Sequence, residues 1–99
     1  MKEFAKVEQL ENKNQFVITT NEGVFFQSYD SVCAFVTNEG LTLGRDWNYS
    51  HTTLKHLYIF LDRYCYKVYR EIEGSKNKKA TLQKMIDNNL IKYDEYLGR

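Results

Sequence analysis

The chain has 99 residues, 42% hydrophobic (15% aromatic) and 27% charged, with a formal charge of +1. That length favours one domain with one core, and the composition argues against disorder along most of the chain. The near-neutral balance excludes binding through total charge alone, by a strongly basic nucleic-acid tail or a strongly acidic mimic. Charge is nonetheless uneven. Residues 1–62 carry five basic and eight acidic side chains, net −3, whereas residues 63–99 carry nine and five, net +4. An anionic partner would meet the C-terminal part first. The two cysteines, Cys33 and Cys65, form no Cys-rich framework. Charges interrupt MKEFAKVEQLENK before a signal-peptide core can form, and no apolar run approaches the length of a bilayer span. A cytoplasmic protein with both thiols reduced is expected.

In chain order, Phe4–Gln9 reads as an edge strand or a short helix. Thr20-Asn21-Glu22-Gly23 then recurs as Thr37-Asn38-Glu39-Gly40, each copy between β-prone runs (QFVIT and VFFQSY, then SVCAFV and LTLG). Asn tolerates a turn backbone and Gly supplies positive φ, so each copy predicts a hairpin. The first joins about 15–19 to 24–29, the second about 32–36 to 41–44, and Asp30-Ser31 is the turn between them. The period is too short for a solenoid. Leu54, Leu57, Tyr58, Leu61, Tyr64, Cys65 and Val68 fall on one helical stripe, with Ile59 and Phe60 widening it. A helix over about 52–70 is predicted to cover the sheet, with Tyr64 in the core. The polar run Gly74–Lys79 separates it from a second helix over about 79–89, capped by Ser75 or Thr81, with Leu82, Met85, Ile86 and Leu90 facing inward. Ile91–Tyr93 reads as a last short strand and Asp94–Arg99 as a frayed tail. The fold class is therefore α+β: a single domain over 1–99 with a four- or five-stranded antiparallel meander at about 4–44, a long amphipathic helix over it, and a C-terminal helix.

The stretch WNYSHTTLKH, Trp47 to His56, admits three chemistries. A hydrolase would use Ser50 or Thr53 as nucleophile, His51 or His56 as base and Asp46 as the orienting carboxylate. Adjacent Ser50 and His51 seldom converge, and neither a Gly-x-Ser-x-Gly elbow nor a glycine-rich oxyanion loop accompanies them. A zinc site would recruit Cys33, His51, His56 and Cys65, but the cysteines lie far apart without a Cys-x-x-Cys pair. Helix capping needs no coincidence. Ser50 or Thr52 supplies the oxygen for the free first-turn amides, Trp47 and Tyr49 pack back over the turn, and Asp46 complements the positive helix end. No catalytic residue, metal ligand or cofactor is assigned, and His56 is expected to face solvent or to be hydrogen-bonded.

A second candidate is cationic. Arg63, Lys67, Arg70, Lys76, Lys78, Lys79 and Lys84 face only Glu71 and Glu73 within 63–84, and Tyr64, Tyr66 and Tyr69 interleave with them. Such a mixture fits a solvated helix surface, an acidic protein surface, or a nucleic-acid backbone with stacked bases. Neither an RNP-type signature nor a KH-type loop nor a zinc knuckle favours the last.

One resemblance adds to this reading. Ser28-Tyr29, Ala34, and a block of Trp47, Tyr49, Ser50, Thr52, Thr53, Lys55 and His56 resemble a recurrent domain of small bacteriophage proteins without assigned activity. The resemblance covers about residues 28–61, a third of the chain. It implies a phage or prophage accessory protein acting inside a bacterial cell, such as an inhibitor of a defence protein, for example a nuclease. The expectation is a non-enzymatic protein-binding module using Arg63, Tyr66, Lys67 and Arg70, with Trp47 and Tyr49 as anchors where exposed. Nucleic-acid binding by the 63–84 face is the alternative. A homodimer through a sheet edge is also open, because the first hairpin is rich in Phe16, Val17, Phe25 and Phe26.

Overall fold

The computed structural model of the protein describes residues 5–98, so Phe4 and Arg99 of the predicted elements lie outside the described residues. The repeated Thr-Asn-Glu-Gly sets the sheet. In the first copy the Thr20 amide and hydroxyl both donate to the Gly23 carbonyl, at 2.8 and 3.0 Å, and the Glu22 amide donates to the Thr20 hydroxyl at 3.1 Å. In the second copy the Glu39 amide donates to the Thr37 hydroxyl, also at 3.1 Å. A threonine hydroxyl thus closes each turn. The hairpins are β2 (Asn12–Thr20) with β3 (Val24–Ser28), and β4 (Ser31–Thr37) with β5 (Gly40–Gly44). Tyr29-Asp30, not Asp30-Ser31, joins them: Ser28 pairs with Ser31, and Tyr29 takes the left-handed φ of 55° that the tight turn demands.

β1 (Ala5–Leu10) settles the open choice at the N-terminus as a strand, antiparallel to β2. β6 (Lys92–Asp94) adds a sixth strand, parallel to β5, so the sheet order follows the chain from β1 to β6. A parallel neighbour needs a long crossover, and all three helices lie within it.

The predicted long helix is two helices, α1 (His51–Tyr64) and α2 (Tyr66–Ile72). They break at Cys65, whose φ of −144° and ψ of 59° leave the helical region. The buried face of α1 is Thr53, His56, Leu57, Phe60 and Leu61, rotated from the predicted stripe. Tyr64 is therefore at the surface rather than in the core, its ring tilted against Phe60 at 5.2 Å. The break at Cys65 returns Val68 and Ile72 to the core.

α3 (Lys78–Asp87) is capped by Asn77, whose side-chain oxygen accepts from the Ala80 amide at 3.0 Å, in place of Ser75 or Thr81. Asn89 ends it with a left-handed φ of 59°; its amide donates to the Ile86 carbonyl and the Leu90 amide to the Met85 carbonyl. This Schellman arrangement reverses the inward residue. Leu90, predicted inside, is 69% exposed, and Ile91 is buried instead. The expected frayed tail is also ordered through Gly98. The Tyr96 amide donates to the Asp94 carboxylate at 2.9 Å, and Gly98 packs on the Val32 side chain.

The two repeat glycines should respond differently to substitution. A Cβ at Gly23 would strike the Val36 carbonyl and come within 2.7 Å of the Phe35 ring, whereas one at Gly40 would meet open space. Both positions carry positive φ. Gly40→Ala should cost only backbone strain, about 1–3 kcal/mol, and Gly23→Ala more, because overpacking adds to it. Denaturant titration of both variants checks the order.

Candidate functional site

Ser50 adopts extended backbone and caps α1, its hydroxyl accepting from the Thr53 amide at 3.1 Å. The same hydroxyl donates to the Thr53 hydroxyl at 3.1 Å, and Thr53 in turn lies 2.9 Å from the Ser28 hydroxyl on β3. Ser28 and Thr53 are both buried, so this chain of hydroxyls fastens the helix start to the sheet. His56 is buried as well, with Nδ1 at 2.8 Å from the Thr52 carbonyl. A carbonyl only accepts, which places the proton on Nδ1. The remaining buried polar side chain, Gln15, pairs with Ser28 across β2 and β3, and neither end of its amide has a partner.

These distances show the capping arrangement at the entrance. Ser50 is in capping geometry, His56 is turned to its own helix backbone, and Asp46 accepts from Ser31 at 2.6 Å rather than orienting a histidine. Among the described residues no three His, Cys, Asp or Glu side chains gather in metal-binding geometry. Of the two predicted anchors, Trp47 is 2% exposed and belongs to the core, whereas Tyr49 is 75% exposed. Tyr49 stands at an open recess of about 610 Å³ between the β3–β4 turn and the α1 start, which Ser28, Asp46 and Thr53 also line. The halves of the Ser28–His56 block thus meet in space as the seam between sheet and helix.

Cys33 lies beneath the recess, its thiol within hydrogen-bond reach of the Ser31 and Asp46 carbonyls. Burial, and secondarily the Asp46 charge, pushes its pKa from 9.0 up to about 12. Burial also raises Cys65 and Tyr58.

The cationic residues distribute over two places. Arg63 forms an ion pair with Glu11 at the β1–β2 corner, both side chains half-exposed, which anchors it but adds little stability. Tyr66, Lys67 and Arg70 are exposed on α2, with the Tyr66 and Tyr69 rings 6.1 Å apart. A separate groove of about 440 Å³ is lined by Lys55, Tyr58, Lys76, Lys78 and Lys79, with His51 at its rim. Lys78 Nζ lies 5.9 Å from the centre of the Tyr58 ring, at cation–π range. The linear 63–84 cluster contains the three loop and α3 lysines but neither Lys55 nor Tyr58. Only folding brings α1 beside the Lys76–Lys79 segment, and no local sequence pattern signals it.

Two measurements probe the seam. Gln15→Leu keeps the volume and removes an amide that is buried without a partner, so it should stabilise by about 1–2 kcal/mol; a lower melting temperature would reveal a bonding partner for the amide. The raised Cys33 pKa has a defined sign. The unfolded chain releases the thiol proton near 9.0 and the folded chain only near 12. The associated stability is complete below the lower value and declines as pH rises through the window. Denaturation midpoints from about pH 8 to about pH 11 should fall, and less steeply in Cys33→Ala.

Residues 4–88 match the model of a family of unknown function, DUF8033. That span takes in β1–β5 and all three helices and leaves out β6. No curated protein and no solved structure matches the chain. With most of its length matched, the chain belongs to the family of unknown function DUF8033.

Proposed function

We propose that the protein is a non-enzymatic protein-binding module that grips an acidic surface of its partner through the groove between α1 and the start of α3. The observation that carries this reading is the gathering of Lys55, Lys76, Lys78 and Lys79 around Tyr58 with no carboxylate in the lining. Charge-lined concave surfaces steer and select partners of opposite sign. The placement is unfavourable for the fold alone. Lys78 and Lys79 open α3, and its first turn holds no acidic residue, so cations face the positive end of the helix dipole. An acidic side chain from a partner would relieve both.

Tyr66, Lys67 and Arg70 extend the cationic surface on α2, and Arg63 is held near its pair Glu11. Glu71 and Glu73 follow them closely, so the positive charge is a patch rather than a continuous track. A patch suits a discrete acidic protein surface; a nucleic-acid backbone asks for a track. A phage or prophage accessory role in the bacterial cytoplasm, such as blocking a defence protein, fits a small module of this kind. Nucleic-acid binding is the second reading, favoured by the Tyr66–Tyr69 ring pair beside two cations.

One pair of substitutions separates folding from binding. Lys78→Glu with Lys79→Glu should raise the melting temperature slightly, by about 0.3–1 kcal/mol of stability per position, while weakening capture of the partner from nuclease-treated bacterial lysate. Lys67→Glu with Arg70→Glu reports on α2 in the same assay. Normal capture by both folded double mutants would sink the cationic interface. Capture that disappears with nuclease, and binding that falls steeply with salt, would instead favour nucleic acid.

A further inference from the structure

The helices cover one face of the sheet, and the other face has an unusual composition. Strand register aligns Val7, Ile18, Phe25, Phe35 and Thr42 in one row across β1–β5. A second row holds Gln9, Phe16, Gln27 and Val32. Phe25 and Phe35 stack with centroids 4.2 Å apart. Val7, Phe16, Ile18, Phe25 and Phe35 all lie outside the core cluster and outside the partly buried shell around it. Among the described residues the tail packs at one corner of this face, Leu97 on Gly44 and Gly98 on Val32.

No Asp, Glu, Lys or Arg stands in these rows from β1 to β5, in a chain that is 27% charged. β1 makes the bias plain. Lys6 and Glu8 pair with Thr19 and Val17 on the helix side, where both stay exposed and bridge each other at 3.6 Å, and uncharged Val7 projects from the open side at 62% exposure. Continuous apolar faces of this kind on soluble proteins mark interaction sites.

We propose that this face binds a second copy of the same chain, sheet against sheet, as a two-fold dimer. The argument for a copy rests on charge and area. A two-fold interface brings identical patches together, so any charge near the axis would meet its own sign. The centre of the face, at the stacked Phe25 and Phe35, satisfies that condition, with Lys92 beside Thr42 at the far end of the first row, and it offers a different protein little charge pattern to recognise. Five strands about 4.8 Å apart, each about five residues long, give a projected area of roughly 400 Å². Two such faces bury roughly 800 Å² together, below the size of stable specific interfaces and in the range of weak, transient ones. The dimer is accordingly weak and concentration-dependent. Stacked sheets pack about 10 Å apart with interdigitating side chains, a spacing that the Phe25 and Phe35 rings can fill from both sides. This geometry differs from pairing through the free edge of β1, which would leave the open face exposed.

Sedimentation equilibrium over a wide concentration range tests the proposal with the full chain. The wild type should pass from monomer to dimer with rising concentration. Val7→Lys, at an exposed position with no folding role, should weaken the dimer about tenfold or more, because a buried unpaired ammonium is costly. Phe25→Lys should abolish it, with circular dichroism confirming that the variant is folded. Lys79→Glu, on the opposite side of the molecule, should leave it unchanged. A wild type that stays monomeric at every concentration would overturn the proposal, and so would a dimer that survives Val7→Lys undiminished, since that dimer would be held by an edge or by the helices.

Discussion

The packing of Phe60 on Phe26, rings 5.5 Å apart, is the contact on which the architecture turns. Both residues are fully buried, Phe26 at the centre of the sheet and Phe60 at the centre of the α1 inner face. Each contributes about 1.5–3 kcal/mol of gross burial. With that contact fixed, α1 lies against β2, β3 and β4. Its 14 residues span about 21 Å, less than six strands at about 4.8 Å spacing require. A straight continuation past Tyr64 would carry Val68 and Ile72 away from the core. The break at Cys65 resolves this by letting α2 fold back, and Leu82 of α3 completes the cover.

The hydroxyl seam does a different job. Apolar packing alone tolerates rotation of a helix on a sheet, because it is non-directional. The Ser28–Thr53 bond is directional, and it joins the end of β3 to the first turn of α1. It fixes which residues of α1 face inward: Thr53 and His56 are buried because their polar atoms have partners at the seam and in the helix backbone. Gln15 beside Ser28 has none, so the seam is complete at the helix and incomplete at the sheet.

This explains what the sequence made legible. The hairpins could be read because Thr-Asn-Glu-Gly encodes its own turn locally, and the class α+β followed from strands preceding helices. The face of α1 was misplaced because hydropathy counts Thr53 and His56 as polar and Tyr58 and Tyr64 as apolar. Local bonding buries the first pair, and the amphipathic tyrosines sit at the boundary. Leu90 and Ile91 are equally apolar neighbours; the positive φ at Asn89 alone decides which one enters the core. Among the candidate site residues, Lys67 and Arg70 lie exposed on α2, whereas Trp47 is in the core. The pairing of Lys55 and Tyr58 with Lys76–Lys79 is long-range, created by the docking of helices, and no local pattern announces it.

Segregation of surface chemistry gives the two proposals a common consequence. The charged groove belongs to the helical layer, and the apolar rows belong to the opposite side of the sheet. A dimer formed through the open face therefore leaves both grooves free and directs them away from each other. Two weak sites on one rigid assembly act as a bivalent ligand toward a partner with repeated acidic patches, and binding gains through effective concentration without any new contact. The gain depends on whether the spacing of the patches matches that of the grooves, so partner geometry becomes a determinant of specificity. A small protein with an ordinary surface charge can in this way discriminate between a single acidic patch and an ordered pair of them.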